Sequence, residues 1–95
     1  MKRFVVERNL PGAGELSAEE IQTISQSWHE ASIKLGGPHI WVESFIGEDK
    51  IYCVHFAENE ETVREHSRIT KFPINLISEV KTVIDPTNCN PLHVA

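Results

Sequence analysis

The chain of 95 residues is poor in cysteine, methionine and positive charge. Its two cysteines, Cys53 and Cys89, stand far apart and in no CxxC or CxxH spacing. They define neither a disulfide framework nor a zinc ribbon. Two free thiols fit a reducing compartment, so a cytoplasmic location is expected. Nine Lys plus Arg against fourteen Asp plus Glu leave a net charge of −5. Such a balance lacks the basic footprint of a nucleic-acid binder or an anionic-membrane binder. No stretch approaches the roughly 18 apolar residues of a membrane span. The N-terminal Phe4-Val5-Val6 run is flanked by charge on both sides and is too short for a signal-peptide h-region. Gly12-Ala13-Gly14 lacks the context of a phosphate loop, and neither a GxSxG elbow nor an HExxH helix occurs.

What is present suffices for one small globular domain. Hydrophobic residues make up 40% of the chain, enough for a core at this length. Residues 3–8 read as a first strand, rich in β-branched and aromatic types. Ser17 and Glu20 form a capping-box pattern, and Ile21, Ile24, Trp28, Ala31 and Leu35 follow at helical spacing. Gly36-Gly37-Pro38 stops that helix. His39 to Ile46 and Ile51 to Ala57 form a hairpin of strands around Gly47-Glu48-Asp49-Lys50. Asn59 caps a short helix to about Thr70, with Val63, His66 and Ile69 or Thr70 inward. A fourth strand is expected over Ser78 to Asp85. The order βαββαβ is the ferredoxin-like pattern: a four-stranded antiparallel sheet with two helices on one face. The expected division is a domain over 1–87 and a C-terminal tail over 88–95.

The second and third strands are apolar at both parities, as in Ile51-Tyr52-Cys53-Val54-His55-Phe56. Two helices cover one face only, so the other face needs a cover as well. A second copy placed sheet to sheet supplies it, and a homodimer of the α+β-barrel kind is expected.

Few polar residues fall within the apolar pattern. Glu7 ends the first strand, Glu43 lies on the second, Cys53 and His55 share a face of the third, and His66 interrupts the inward stripe of the second helix. Each has an ordinary structural explanation: an ion pair for either glutamate, a small hydrophobe for Cys53, a satisfied histidine for His55 or His66. Together, Glu7, Glu43, Cys53, His55 and His66 offer mixed O, S and N donors, which suit Ni or Zn better than Ca or Mg. His29 and His39 read as surface residues, and His93 belongs to the tail.

Phe4-Val5-Val6-Glu7-Arg8, Leu10-Pro11-Gly12, Trp41-Val42-Glu43-Ser44, Lys50-Ile51-Tyr52-Cys53-Val54, Val63-Arg64-Glu65-His66 and Ile84-Asp85-Pro86-Thr87 resemble a bacterial family of small nickel-binding, ferredoxin-like domains. The resemblance spans nearly all of residues 3–87. It implies a dimeric ferredoxin-like fold and nickel as the bound metal, with His66, Glu7 and Cys53 matching the recurring pattern. Glu43 and His55 stand where other residue types are common in the family, so a site using them differs in this chain. The expected function is a small metal-binding protein, without turnover, that sequesters or senses nickel or a similar divalent ion. Two alternatives stay open: a small-molecule binding module or cofactor-free enzyme of the dimeric α+β-barrel class, and a plain structural subunit.

Overall fold

A computed structural model describes residues 1–89. Strand β1 (Lys2–Asn9) leads through a short 3-10 turn into helix α1 (Ala18–Leu35). Strands β2 (His39–Ile46) and β3 (Lys50–Ala57) form the hairpin, and helix α2 (Glu60–Thr70) returns the chain to strand β4 (Leu76–Glu79). The sheet order is β2-β3-β1-β4 and every pair is antiparallel. This is the ferredoxin-like α+β fold. No helix among the described residues is long and apolar enough to cross a membrane.

Local chemistry sets the helix ends. The Ser17 hydroxyl accepts from the Glu20 amide, and the Glu20 carboxylate accepts from the Ser17 amide, closing the capping box. Gly36 ends α1 in the left-handed region (φ 65°), where its amide reaches the Ile33 carbonyl. Asn59 caps α2 through the Thr62 amide. Helix α2 ends on Lys71, which adopts φ 65° without being glycine.

The core lies between the sheet and the helices. Phe4 and Val6 of β1, Ile51, Cys53 and Ala57 of β3, Trp28 of α1 and Val63 of α2 are buried there. Trp28 is its centre, with Trp41 and Phe72 set edge-on at 5.3 and 5.1 Å between ring centroids. Tyr52, Val54 and Phe56 point the other way, so the two apolar parities of β3 serve two faces.

Two expectations shift. Strand β4 begins and ends earlier than expected, at Leu76–Glu79 instead of Ser78–Asp85. The register explains it: Glu79 already stands opposite Phe4, and the Val80 amide donates to the Arg3 carbonyl at 2.8 Å. After Glu79 the described residues form no further strand. Residues 83–85 are exposed, and Pro86–Cys89 closes into a 3-10 turn anchored by Asp85. The second shift is a β-bulge between Trp41 and Glu43. Before the bulge His39 and Trp41 face the helices, and after it Ser44 and Ile46 do. Most of the expected 88–95 tail, including His93, lies outside the described residues.

Removing the methylene and two methyl groups that Ile51 adds to the core tests this packing. Ile51→Ala is expected to cost about 2–4 kcal/mol, whereas Ser17→Ala, which opens only the capping box, is expected to cost about 1 kcal/mol. Urea unfolding followed by circular dichroism measures both.

Candidate metal centre

Three buried histidines meet beneath the helices. His39 opens β2, His55 sits mid-way along β3, and His66 projects from α2. One nitrogen from each lies within 4.8 Å of the others. The rings of His39 and His66 stack at 4.8 Å between centroids, and His55 lies 5.1 and 5.2 Å from them. His55 and His66 are fully buried and His39 is 8% exposed.

Hydrogen bonds fix how these rings present themselves. His66 Nε2 lies 2.8 Å from the Trp28 carbonyl oxygen. A carbonyl only accepts, so Nε2 carries the proton, and the neutral ring keeps its lone pair on Nδ1. That Nδ1 is buried and has no partner among the described residues. One helical turn after Trp28, the Ser32 hydroxyl lies 2.6 Å from His39 Nδ1. His39 Nε2 is 3.0 Å from His55 Nδ1, and His55 Nε2 is again buried without a partner among the described residues. Helix α1 thus orients two of the three rings, one through a backbone carbonyl and one through a hydroxyl. Such bonds from the second nitrogen are how proteins aim imidazole ligands.

Burial keeps all three rings neutral. His39 is pushed down from 6.5 to about 4 by loss of solvation and by the neighbouring His66. His55 is pushed down to about 2 by burial, then by His66, His39 and the Arg8 guanidinium. His66 is lowered by burial and by Arg8, against the opposing effect of its bond to Trp28. A neutral imidazole offers a lone pair to a metal, and an imidazolium does not.

Arg8 is the other buried polar group of the region. Its Nη1 donates to the Ser67 hydroxyl at 2.8 Å and to the Pro73 carbonyl at 3.0 Å, and its Nε points at Cys53 Sγ at 3.5 Å. The guanidinium also lies 5.3 Å from the centre of a Trp28 ring. It locks the segment after α2 against β1.

Of the five expected ligands, the structure brings together His55 and His66. His39, expected on the surface, is corrected to a buried member of the cluster. It stands opposite Ala57 on the helix side of the sheet, beneath the last turns of α1. Its parity with Trp41 is the sequence signal for this, masked because β2 is apolar at both parities. The other three expected residues stand apart from the histidines. Glu7 lies on the open face of β1 and pairs with Lys50 at 3.0 Å. Glu43 is turned to the open face by the bulge, opposite Val54. Cys53 is fully buried on the helix side, a free thiol facing Arg8. Arg8 itself escaped sequence reading, because a charged residue near a strand end looks like a surface residue.

The family model for SCO4226-like nickel responsive proteins matches residues 4–80. The chain belongs to this family. Among solved structures, the chain is similar to SCO4226 from Streptomyces coelicolor A3(2), at a TM-score of 0.73 and 13% identity. The match covers 86% of this chain and 99% of that one. At that identity the likeness shows the shared fold, and the family's name shows nickel responsiveness as its common description. No curated protein sequence matches this chain.

Buried neutral histidines make the metal-free protein acid-sensitive. Unfolded, each titrates near 6.5; folded, each resists protonation. The unfolded chain therefore binds more protons below pH 6.5, and stability falls as pH falls. The loss is at most about 1.4 kcal/mol per pH unit for each histidine, and for His39 it continues down to about pH 4. Thermal melts between pH 7.5 and 4.5 should show a falling midpoint. His55→Phe should flatten that dependence.

Proposed function

We propose that this protein binds one divalent transition metal per chain through His39, His55 and His66, with nickel as the ion, and that it sequesters or senses that metal. The observation that carries the reading is the unpartnered Nδ1 of His66. Its tautomer is dictated by the Trp28 carbonyl, so it turns a lone pair into a buried cluster of three neutral imidazoles. An orphaned acceptor in a protein core costs free energy unless something satisfies it. Imidazole ligands suit nickel, copper, iron and zinc, and exclude the hard cations that need oxygen cages. The family's description as nickel responsive favours nickel within that set. When bound, the metal would supply the missing partner for His66 and His55, and His39 would join them by exchanging its Nε2 contact with His55 for the metal. The chain's own part is to hold three rings neutral, oriented and away from water.

In this reading Cys53, Glu7 and Glu43 lie outside the ligand set. A second copy of the chain covers the open sheet face, where Val5, Val54 and Phe56 line a groove with Val42 and Glu43. Ile40, Phe45 and Tyr52 extend that apolar surface. Its apolar composition supports a homodimer formed sheet to sheet.

Isothermal titration of metal-free protein with Ni²⁺ should give one site per chain, and His39→Ala should abolish it in a protein that keeps its circular dichroism spectrum; His66→Ala should abolish it too, with a lowered Tm because the bond to Trp28 is lost. Cys53→Ser should keep full stoichiometry. A thiolate-to-nickel absorption band that disappears in Cys53→Ser would instead place Cys53 among the ligands. At a hundredfold excess over Kd, nickel should stabilise the fold by about 2.7 kcal/mol, a rise in Tm on the order of 10 °C for a domain of this size.

Sedimentation at micromolar concentration should give a mass near twice 10.8 kDa. Phe56→Lys, which charges the open face without touching the histidines, should shift the mass to that of one chain.

A further inference from the structure

The three histidines of the cluster are not equally placed towards solvent. His55 and His66 are fully buried, and His39 alone keeps contact with the outside. His39 is also a wall residue of an open cavity of about 420 Å³ between the last turns of α1 and the start of β2. His29, Ser32 and Ile33 of α1 line the same cavity, as do Gly36 and Gly37 beyond its end. A Cβ added at Gly37 would meet nothing nearer than the Leu35 carbonyl oxygen at 3.9 Å, so the mouth is open there. A divalent ion with six waters, at roughly 30 Å³ each, needs roughly 200 Å³. The hydrated ion therefore fits.

Charge favours this approach. No Lys, Arg, Asp or Glu lines the cavity, and it carries two imidazoles, His29 and His39. The surface at the end of α2 is the opposite case. Arg64, Arg68 and Lys71 line the cavity there, and the fully buried Arg8 lies behind it, bonded to the lining residue Ser67. Lys71 and Arg8 have no carboxylate partner among the described residues. A dication is repelled on that side.

His39 is also the ring that must rearrange. Its Nδ1 lies 2.6 Å from the Ser32 hydroxyl and its Nε2 lies 3.0 Å from His55 Nδ1. Both nitrogens are engaged, so the ring gives up one contact before it takes a metal. Ser32 and His39 both border the cavity, which leaves room for that movement.

We propose that this cavity is the route by which a divalent metal ion enters and leaves the histidine cluster, and that His39 is the ligand the ion meets first. The proposal rests on the reading of the cluster as a metal site.

The test reads equilibrium and rates on metal-free protein, with Ni²⁺ alone as the probe. Isothermal titration gives Kd, stopped-flow mixing gives the entry rate, and transfer to an excess of a colorimetric chelator gives the release rate. Ile33 lines the cavity and is 66% exposed, so Ile33→Trp narrows the route without entering the core. It should slow entry and release by a common factor of about ten, the effect of a barrier raised by about 1.4 kcal/mol, and leave Kd unchanged. If that variant loses its circular dichroism spectrum, Ile33→Lys replaces it. A unit charge and a dication about 8 Å apart in water should slow entry about fivefold at low salt, and the effect should fade at about 1 M salt. Lys71→Gln removes a positive charge from the cavity at the end of α2 and should leave both rates unchanged. Unmodified rates in the folded Ile33 variant overturn the route, as does faster entry in Lys71→Gln. A change in only one of the two rates in Ile33→Trp overturns it too, because a shared path slows both directions alike. One nickel per chain with rates insensitive to Ile33 removes the route and keeps the cluster as a metal site, whereas no nickel binding removes both.

Discussion

The bond from His66 Nε2 to the Trp28 carbonyl oxygen is the contact on which the interior of this protein depends. It ties α2 to α1 across the top of the sheet, at the residue whose indole anchors the core. It also decides chemistry, because a carbonyl acceptor leaves a neutral ring one choice of tautomer. The lone pair on Nδ1 is then committed to the core. In the same helix, one turn on, Ser32 holds His39, and His39 meets His55. A single face of α1 thus supplies both the hydrophobic centre and the orientation of the histidines.

Arg8 sets the opposing constraint. A fully buried guanidinium has few ways to be satisfied, and here carbonyls, a hydroxyl and a thiol sulfur share the task, with one Nη2 left over among the described residues. Its charge pushes His55 and His66 towards the neutral form, as burial does. The same charge opposes a dication nearby. Neutral imidazoles cannot offset that repulsion by charge, so a metal held by these rings would depend on donation of the nitrogen lone pairs. Transition metals accept such donation well and alkaline-earth ions do not.

The acidic surface plays a smaller part. Helix α2 carries Glu60–Arg64, Glu61–Arg68 and Glu65–Arg68 pairs on its outer side. These are solvent-exposed, and screening by water leaves each a minor contribution to stability. They leave the inner stripe of Val63, His66, Ser67 and Thr70 to face the sheet. Amphipathicity, and not helix propensity, sets which way His66 points.

Element order, the capping box at Ser17, the Gly36 stop and the hairpin at Gly47–Lys50 were legible in the sequence because each rests on neighbours in the chain. The inward placement of His66 was legible for the same reason, from its spacing to Val63. The candidate site was only partly legible. His55 and His66 could be singled out as polar interruptions of apolar patterns. His39 could not, since β2 is apolar at both parities and carries no sign of which side faces the helices. The bulge after Trp41, which turns Glu43 outward, arises from pairing with β3 and leaves no local mark. The early end of β4 follows from where β1 begins, a property of register across the sheet. The sequence by itself determined the fold and the residue types available for a site, because periodicity and capping act over a few residues. Only the tertiary structure decided that three histidines from three elements converge while Glu7 and Glu43 do not, because convergence depends on strand register and helix placement over distances that local spacing does not encode.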